Sequence, residues 1–380
     1  ESRRPAWGEG EGWRLSPEPE WVIGMEGAGG GESDQIPLSG VQDIHGFPDG
    51  RVVFGHRASS EVLVYDSLGR LERRLGGAGD GPGELRRVGD LFPCAGDTIL
   101  VLQNNSLDLF DVQEGFVLRR LPAPGSRRPR VWAVAGDCRR ILTGGEPQIP
   151  PLGESGYFRQ ALTWADTAFA VLDTVAIDSV PGAWVAMDPY ASAEGAAPWP
   201  RFPPWTGEFS LAVRDTVVIR GYESRPELRW YLPDGRVQRI VRWDQAPAAV
   251  TGSDRRLYDE KRRRYAARVG DVAEVRRTFP EWDDWPAMTE VKPFFDAIRV
   301  DDTGHLWVLR NPGTMQHWAM PPVEETPPQR WMIFDDRGRW LGEVEMPERF
   351  ALHVVAGGRV LGVAKDSLDV ETVRAYRVLR

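Results

Sequence analysis

The 380-residue chain reads as an all-β, six-bladed β-propeller of four-stranded antiparallel blades. An N-terminal strand closes the last blade, and a small helical insertion separates blades 4 and 5. Three observations predict this. One phrase recurs, clearest over residues 41–70: strand, tight turn at Pro48-Asp49-Gly50, strand, loop, strand, and a second tight turn at 66–69. Its second-strand core returns as RVVF, TILV, RILT, TVVI, HLWV and RVLG, and its third-strand core as EVLVYDSLG, LDLFDVQEG, AFAVLDT, LRWYLPDG, RWMIFDDRG and VRAYRVL, giving six units. The last unit supplies only three strands before the chain ends, while an unassigned strand-like EWVI waits at 20–23.

Each element follows in order. Residues 1–40 form a tail and the closing strand, a segment within 13–23 expected to pair with the strand around 373–379. Closure of this kind hides sheet edges that otherwise template aggregation. Blades are expected at 41–76, 88–122, 130–180, 208–243, 294–347 and 350–380. The Gly-rich stretches 24–31 and 76–83 superficially suggest phosphate loops. A phosphate loop needs a helix N-terminus directly behind it, and residues 85–91 lead into another strand, so they read as crossovers between sheets. Long insertions fall at 144–165, between the second and third strands of unit three, at the Pro/Trp-rich 181–207, at 244–293 and at 311–329. The helical insertion occupies 246–287. Thr251 or Ser253 is its N-cap, Gly270 its C-cap, and 271–279 a second short helix.

With 41% hydrophobic residues the chain can bury a large core. A formal net charge of −9 excludes the basic footprint of a nucleic-acid binder. No apolar run reaches the roughly 18 residues of a membrane-spanning helix. The sequence opens on Glu1, as it would after signal-peptide cleavage, which leads to an extracytoplasmic expectation. Cys94 and Cys138 both sit at turns between first and second strands of adjacent units. A disulfide and two buried thiols are both open readings.

In radial sheets the A–B and C–D turns share one face, and the B–C loops and crossovers share the other. Every long insertion belongs to the second set, and insertions gathered on one face mark a binding face. Its candidate anchors are Trp184, Trp199, Trp205, Trp318, Met187, Met315 and Met320, since Trp, Met and Arg favour interface centres. They serve equally well as packing that holds the loops down. The helix 254–268 carries Arg255, Arg262 and Arg263, and 127–130 reads RRPR; both suit an acidic partner or anionic lipid headgroups, or form a solvated face. Aligning first strands on their turns gives His45, Phe92, Val134, Ser210, Arg299 and His353 as equivalents. His45, Arg299 and His353 come from ring neighbours and form a candidate polar cluster at the channel, with Asp43 and Asp301 nearby. Hydrogen-bonded packing is the plainer role for them. Nucleophile-elbow, zincin, paired-cysteine and EF-hand motifs are absent, so neither cofactor nor catalysis is expected.

The strand–DG–strand rhythm and crossovers such as LGGAGDGPGEL resemble the NHL and TolB-like six-bladed propellers of exported bacterial proteins, over residues 41–380. A narrower likeness, resting on general character, is to the membrane-extrinsic propeller subunit of a bacterial photosynthetic reaction-centre and antenna complex. The propeller resemblance implies a central channel and no single activity; with the built-up loop face it leads to the expectation of a periplasmic, membrane-peripheral scaffold binding other, membrane-embedded subunits. The alternatives are a lactonase-like hydrolase with a metal at the channel mouth, and a small-ligand or glycan binder. No calcium-holding Glu, Asn and Asp set lies in register here.

Overall fold

A computed structural model describes the chain except residues 1, 9, 25–35, 104–105, 121–129, 146, 150, 152–153, 188–197, 202–204, 206–208, 271–289 and 312–327. Six antiparallel sheets follow one another along it. Strands A to D of blade 1 are Val41–Gly46, Val52–His56, Glu61–Tyr65 and Leu71–Gly76; those of blade 2 are Leu91–Pro93, Thr98–Gln103, Ser106–Asp111 and Gly115–Arg120. Blade 3 comprises Arg130–Val134, Arg140–Gly144, Ser155–Asp166, Val171–Met187 and a fifth strand, Pro198–Arg201. Blade 4 is Phe209–Arg214, Val217–Tyr222, Glu227–Tyr231 and Val237–Arg242, and blade 5 is Phe295–Val300, Leu306–Arg310, Arg330–Phe334 and Trp340–Glu345. Blade 6 is Phe350–Ala356, Arg359–Lys365 and Glu371–Leu379, completed from the other end of the chain.

The A strands touch their neighbours in cyclic order, blade 6 meeting blade 1, so the ring is closed. Because side chains alternate across a strand, each B and C strand feeds two cores. Val53 and Val64 of blade 1 pack toward blade 2, while Phe54, Leu63 and Tyr65 pack toward Leu361, Val363 and Val373 of blade 6. An apolar cluster of this kind fills every junction around the ring. Closure uses two short strands on one partner: Arg14 and Leu15 pair with Leu379 and Val378, and Trp21–Ile23 pairs with Ala375, Arg374 and Val373. Glu20 fastens the clasp, accepting from Arg359 at 2.5 Å and from Arg377 at 2.6 Å.

The Asp-Gly punctuation has a concrete cause. At C–D turns one Asp oxygen accepts two backbone N–H groups, as Asp66 does from Leu68 (2.9 Å) and Arg70 (2.8 Å). Asp166 does the same with Ala168 (2.8 Å) and Ala170 (2.9 Å). In blade 1 the left-handed position of this turn is Gly69 (φ 78°), but in blade 3 it is Phe169 (φ 66°). Lacking the glycine, this turn is silent in the sequence. The expected third strand at AFAVLDT is therefore corrected: those residues hold the turn and the start of strand D, and strand C is Ser155–Asp166.

Much of the expected insertion at 144–165 is strand as well. Beyond the last pair with strand B, Gly144 opposite Leu162, strand C continues back to Ser155, paired with strand D as far as Trp184. Pro181 is absorbed where the register shifts between Gly156 and Phe158, because a proline has no N–H for the ladder. Pro198–Arg201 then lines Trp184–Met187, and Gln148 bridges Arg159 through backbone bonds of 2.7 and 2.9 Å. A β-arm of roughly 20 Å, at about 3.3 Å per residue, thus stands off blade 3.

The helix Gly252–Val269 lies between blades 4 and 5 as counted from Val41, or the fifth and sixth when the closing sheet is counted first. Thr251 rather than Ser253 is the N-cap, in a reciprocal capping box with Asp254, and Gly270 (φ 73°) ends it. Tyr258 and Tyr265 face inward, and buried Asp254 meets Lys292 at 2.7 Å, tying the helix start to the exit of the insertion. The second expected helix, 271–279, lies outside the described residues. Cys94 and Cys138 form a disulfide between blades 2 and 3 with Cα atoms 5.4 Å apart.

Candidate functional site

The two faces of the ring are built differently. On the turn face, neighbouring blades are stitched directly. Arg51 donates to Asp49 of its own turn at 2.6 Å and to Asp97 of blade 2 at 2.5 Å. Ala95 donates to Gly136 of blade 3 at 2.5 Å beside the disulfide, and Gly357 of blade 6 donates to Asp302 of blade 5 at 2.7 Å. The opposite face carries the blade 3 arm and the helix. On the arm, Tyr157 and Ile177 are 58% and 66% exposed. Tyr157, Arg159 and Ala161 alternate onto one side, Ile177 lies opposite Ala161, and the Arg159 guanidinium sits 5.8 Å from the Tyr157 ring. This exposed apolar pair is missed by sequence reasoning, because Tyr157 falls within the insertion expected at 144–165.

The expected anchors fare unequally. Trp205 is only 6% exposed, in the left-handed region at φ 60°, so it is buried instead of presented. Trp184, Trp199 and Met187 belong to arm strands, and their side chains lie outside the described residues, as do Met315, Trp318 and Met320 altogether. Arg255 and Arg263 are exposed on the helix and Arg262 is half-buried. Of the RRPR stretch, Arg130 is described and stacks 3.7 Å over Trp132.

Strand pairing refines the channel cluster. Arg299, opposite Trp307, occupies the position of His45, opposite Val53. His353 does not: it is a bulge residue between Leu352 and Val354, and Val354, opposite Leu361, is the true equivalent. Asp43 is likewise a bulge residue, at φ 25°. The bulges turn these side chains into one electrostatic group. His45 Nε2 donates to the Leu91 carbonyl at 2.6 Å, which fixes its tautomer, and Asp43 accepts from Leu91 N–H at 3.0 Å. Arg299 donates through Nε to the His353 carbonyl at 3.1 Å and through Nη1 to its neighbour Ile298 at 3.0 Å. Burial first, then the Arg299 charge, pushes His353 down to about 4, and burial lowers His45 as well. Both imidazoles are therefore neutral at pH 7. Among the described residues no group of three His, Cys, Asp or Glu converges as metal ligands. No helix among the described residues is long and apolar enough to cross a membrane.

No known protein family and no curated protein matches the chain. Solved structures do. A member of the DUF4221 family from Bacteroides vulgatus is 10% identical, with a TM-score of 0.52, covering 97% of this chain and 99% of its own. A candidate exported protein from Bacteroides fragilis is 11% identical at the same TM-score of 0.52, covering 97% and 96%. At such identity the likeness is one of fold, and the chain is a six-bladed β-propeller of the same architecture as these two proteins.

Proposed function

We propose that this propeller is a non-catalytic, extracytoplasmic scaffold whose loop face docks on other protein subunits of a larger, membrane-embedded assembly. The observation that carries the proposal is the one-sided build. Turns that could have grown anywhere stay minimal and cross-linked on one face, while the arm and the helix stand on the other. An exposed Tyr–Ile pair beside Arg159 on a rigid β-arm has the composition of an interface centre. The helix arginines Arg255, Arg262 and Arg263 add a cationic rim suited to acidic protein surface or anionic headgroups. A photosynthetic reaction-centre and antenna complex is the specific assembly that the sequence resemblance names, and an NHL or TolB-like ancestry is part of the same proposal.

Extraction of native membranes in mild detergent, followed by native mass analysis, tests it. Stoichiometric co-migration with membrane subunits is expected, with Tyr157→Glu and Ile177→Glu releasing the chain. A chain that always runs alone overturns the reading.

A further inference from the structure

The innermost strands leave an uneven wall around the axis. In each blade one residue of strand A stands opposite the strand B residue that packs toward the following blade. In ring order these are His45, Phe92, Ala133, Ala212, Arg299 and Val354, so Ala133 and Ala212 take the places that counting from the turns gives to Val134 and Ser210. All six are half-buried within a closed ring, and their free surface belongs to the channel. Blades 2, 3 and 4 present only phenyl and methyl groups at this level. Blades 5, 6 and 1 add Arg299, His45 and the bulge residues His353 and Asp43, the last two also half-buried. Arg299 and Asp43 carry opposite charges, yet the guanidinium is spent on the carbonyls of His353 and Ile298, and one Asp43 oxygen on the Leu91 N–H. Nη2 of Arg299, the second Asp43 oxygen and the His353 ring have no hydrogen-bond partner among the described residues. The two charges still act on each other past blade 6: burial lowers Arg299 from its ordinary value, and Asp43 offsets part of that.

We propose that the channel binds a small zwitterion of the α-amino acid class, its carboxylate on Arg299 and its ammonium on Asp43. Opposite charges that are partly desolvated and held apart gain most from a group of matching polarity between them. The guanidinium fork suits the two oxygens of a carboxylate. The second Asp43 oxygen accepts from an ammonium, and Nδ1 of His45 is a further acceptor, because Nε2 is taken by the Leu91 carbonyl. An anion alone would meet the Asp43 charge, and a cation alone would meet Arg299. The neutral rings of His45 and His353 add hydrogen bonding without net charge. The phenyl and methyl wall of blades 2 to 4 suits an apolar side chain.

Calorimetric titration of the full chain with L-alanine and with L-leucine tests this. Each is run beside the analogue lacking its ammonium (propionate, isocaproate) and the analogue lacking its carboxylate (ethylamine, isoamylamine). Saturable one-to-one binding of at least one amino acid is expected, with both of its analogues about tenfold weaker or more, the scale of a lost charge-assisted hydrogen bond. Asp43→Asn should weaken the amino acid by a similar factor and leave the ammonium-free analogue no weaker. Asparagine tolerates the positive φ of this bulge and its oxygen still accepts from Leu91, so the variant keeps the fold. Glu72→Gln removes the same charge on the outer strand of blade 1 and should change affinity less than twofold. Absence of saturable heat with both amino acids overturns the proposal. So does an analogue that binds as tightly as its parent, unchanged binding in Asp43→Asn, or an equal loss in Glu72→Gln.

Discussion

Blade 4 has two sides of opposite character. Toward blade 5 it presents Ile219, Leu228, Trp230, Val241 and Trp243, which close on Phe295, Ile298, Leu306, Val308, Met332 and Phe334. Toward blade 3 only its inner and turn-side residues are apolar, Val218 and Tyr231 among them, and the rest of that side is Arg220, Tyr222, Glu227 and Arg229. The same strands carry both, because a period of two lets every second residue answer to a different neighbour. Each large side chain fully buried in the 4–5 seam contributes about 1.5–3 kcal/mol. The 3–4 seam forgoes part of that at its loop end. A ring can tolerate one seam that is polar at its loop end because the others hold it.

The largest effect should come from the dry side. Phe295→Ala, at a fully buried ring, should lower unfolding stability in urea by roughly 3–5 kcal/mol; a loss below 1 kcal/mol would show that the 4–5 seam is not the stronger one. Next, the Cys94→Ser/Cys138→Ser pair removes a cross-link of sequence separation 44, worth about 4 kcal/mol by chain entropy. Blade 3 would then have a weakened seam on both sides, and hydrogen exchange should quicken in its strands before those of blade 5. Uniform quickening around the ring would count against the contrast. Acid titration sharpens it at the ring's inner end. His353, held near 4 in the fold against about 6.5 unfolded, gives an unfolded state that binds the extra proton between those values. Stability therefore falls as pH drops from 6.5 toward 4, by about 1.4 kcal/mol per pH unit, and His353→Gln should flatten that slope. The smallest effect belongs to the polar side: Arg229→Gln, at a partly exposed pair, should cost under about 1 kcal/mol by the same urea measurement. A multi-kcal loss would recast Arg229 as a structural residue.

The blades were legible because their signals are local. Apolar B and C cores between Asp-Gly turns mark each sheet, the Thr251–Asp254 box marks the helix, and a three-stranded last unit asks for the strand that Trp21–Ile23 supplies. Blade 3 was not, because Phe169 does the work of a glycine and Pro181 breaks an otherwise readable strand at a bulge. Register explains the rest. The His353 bulge slips it one place from the position counted back from its turn. Nothing local in the sequence links Arg220 and Arg229: only the ladder between strands B and C brings the two face to face. The arm's Tyr157 and Ile177 were hidden for the same reason.

The clasp on blade 6 also sets a timetable. Arg14, Leu15 and Trp21–Ile23 find their partners only on Glu371–Leu379, the third strand of blade 6. Until Glu371–Leu379 is made, those two strands have nothing to pair with, and without them that strand offers an open ladder to any extended chain nearby. Closure of the ring thus joins segments far apart in the sequence, and the waiting segment is the part of the chain that a chaperone has most reason to hold.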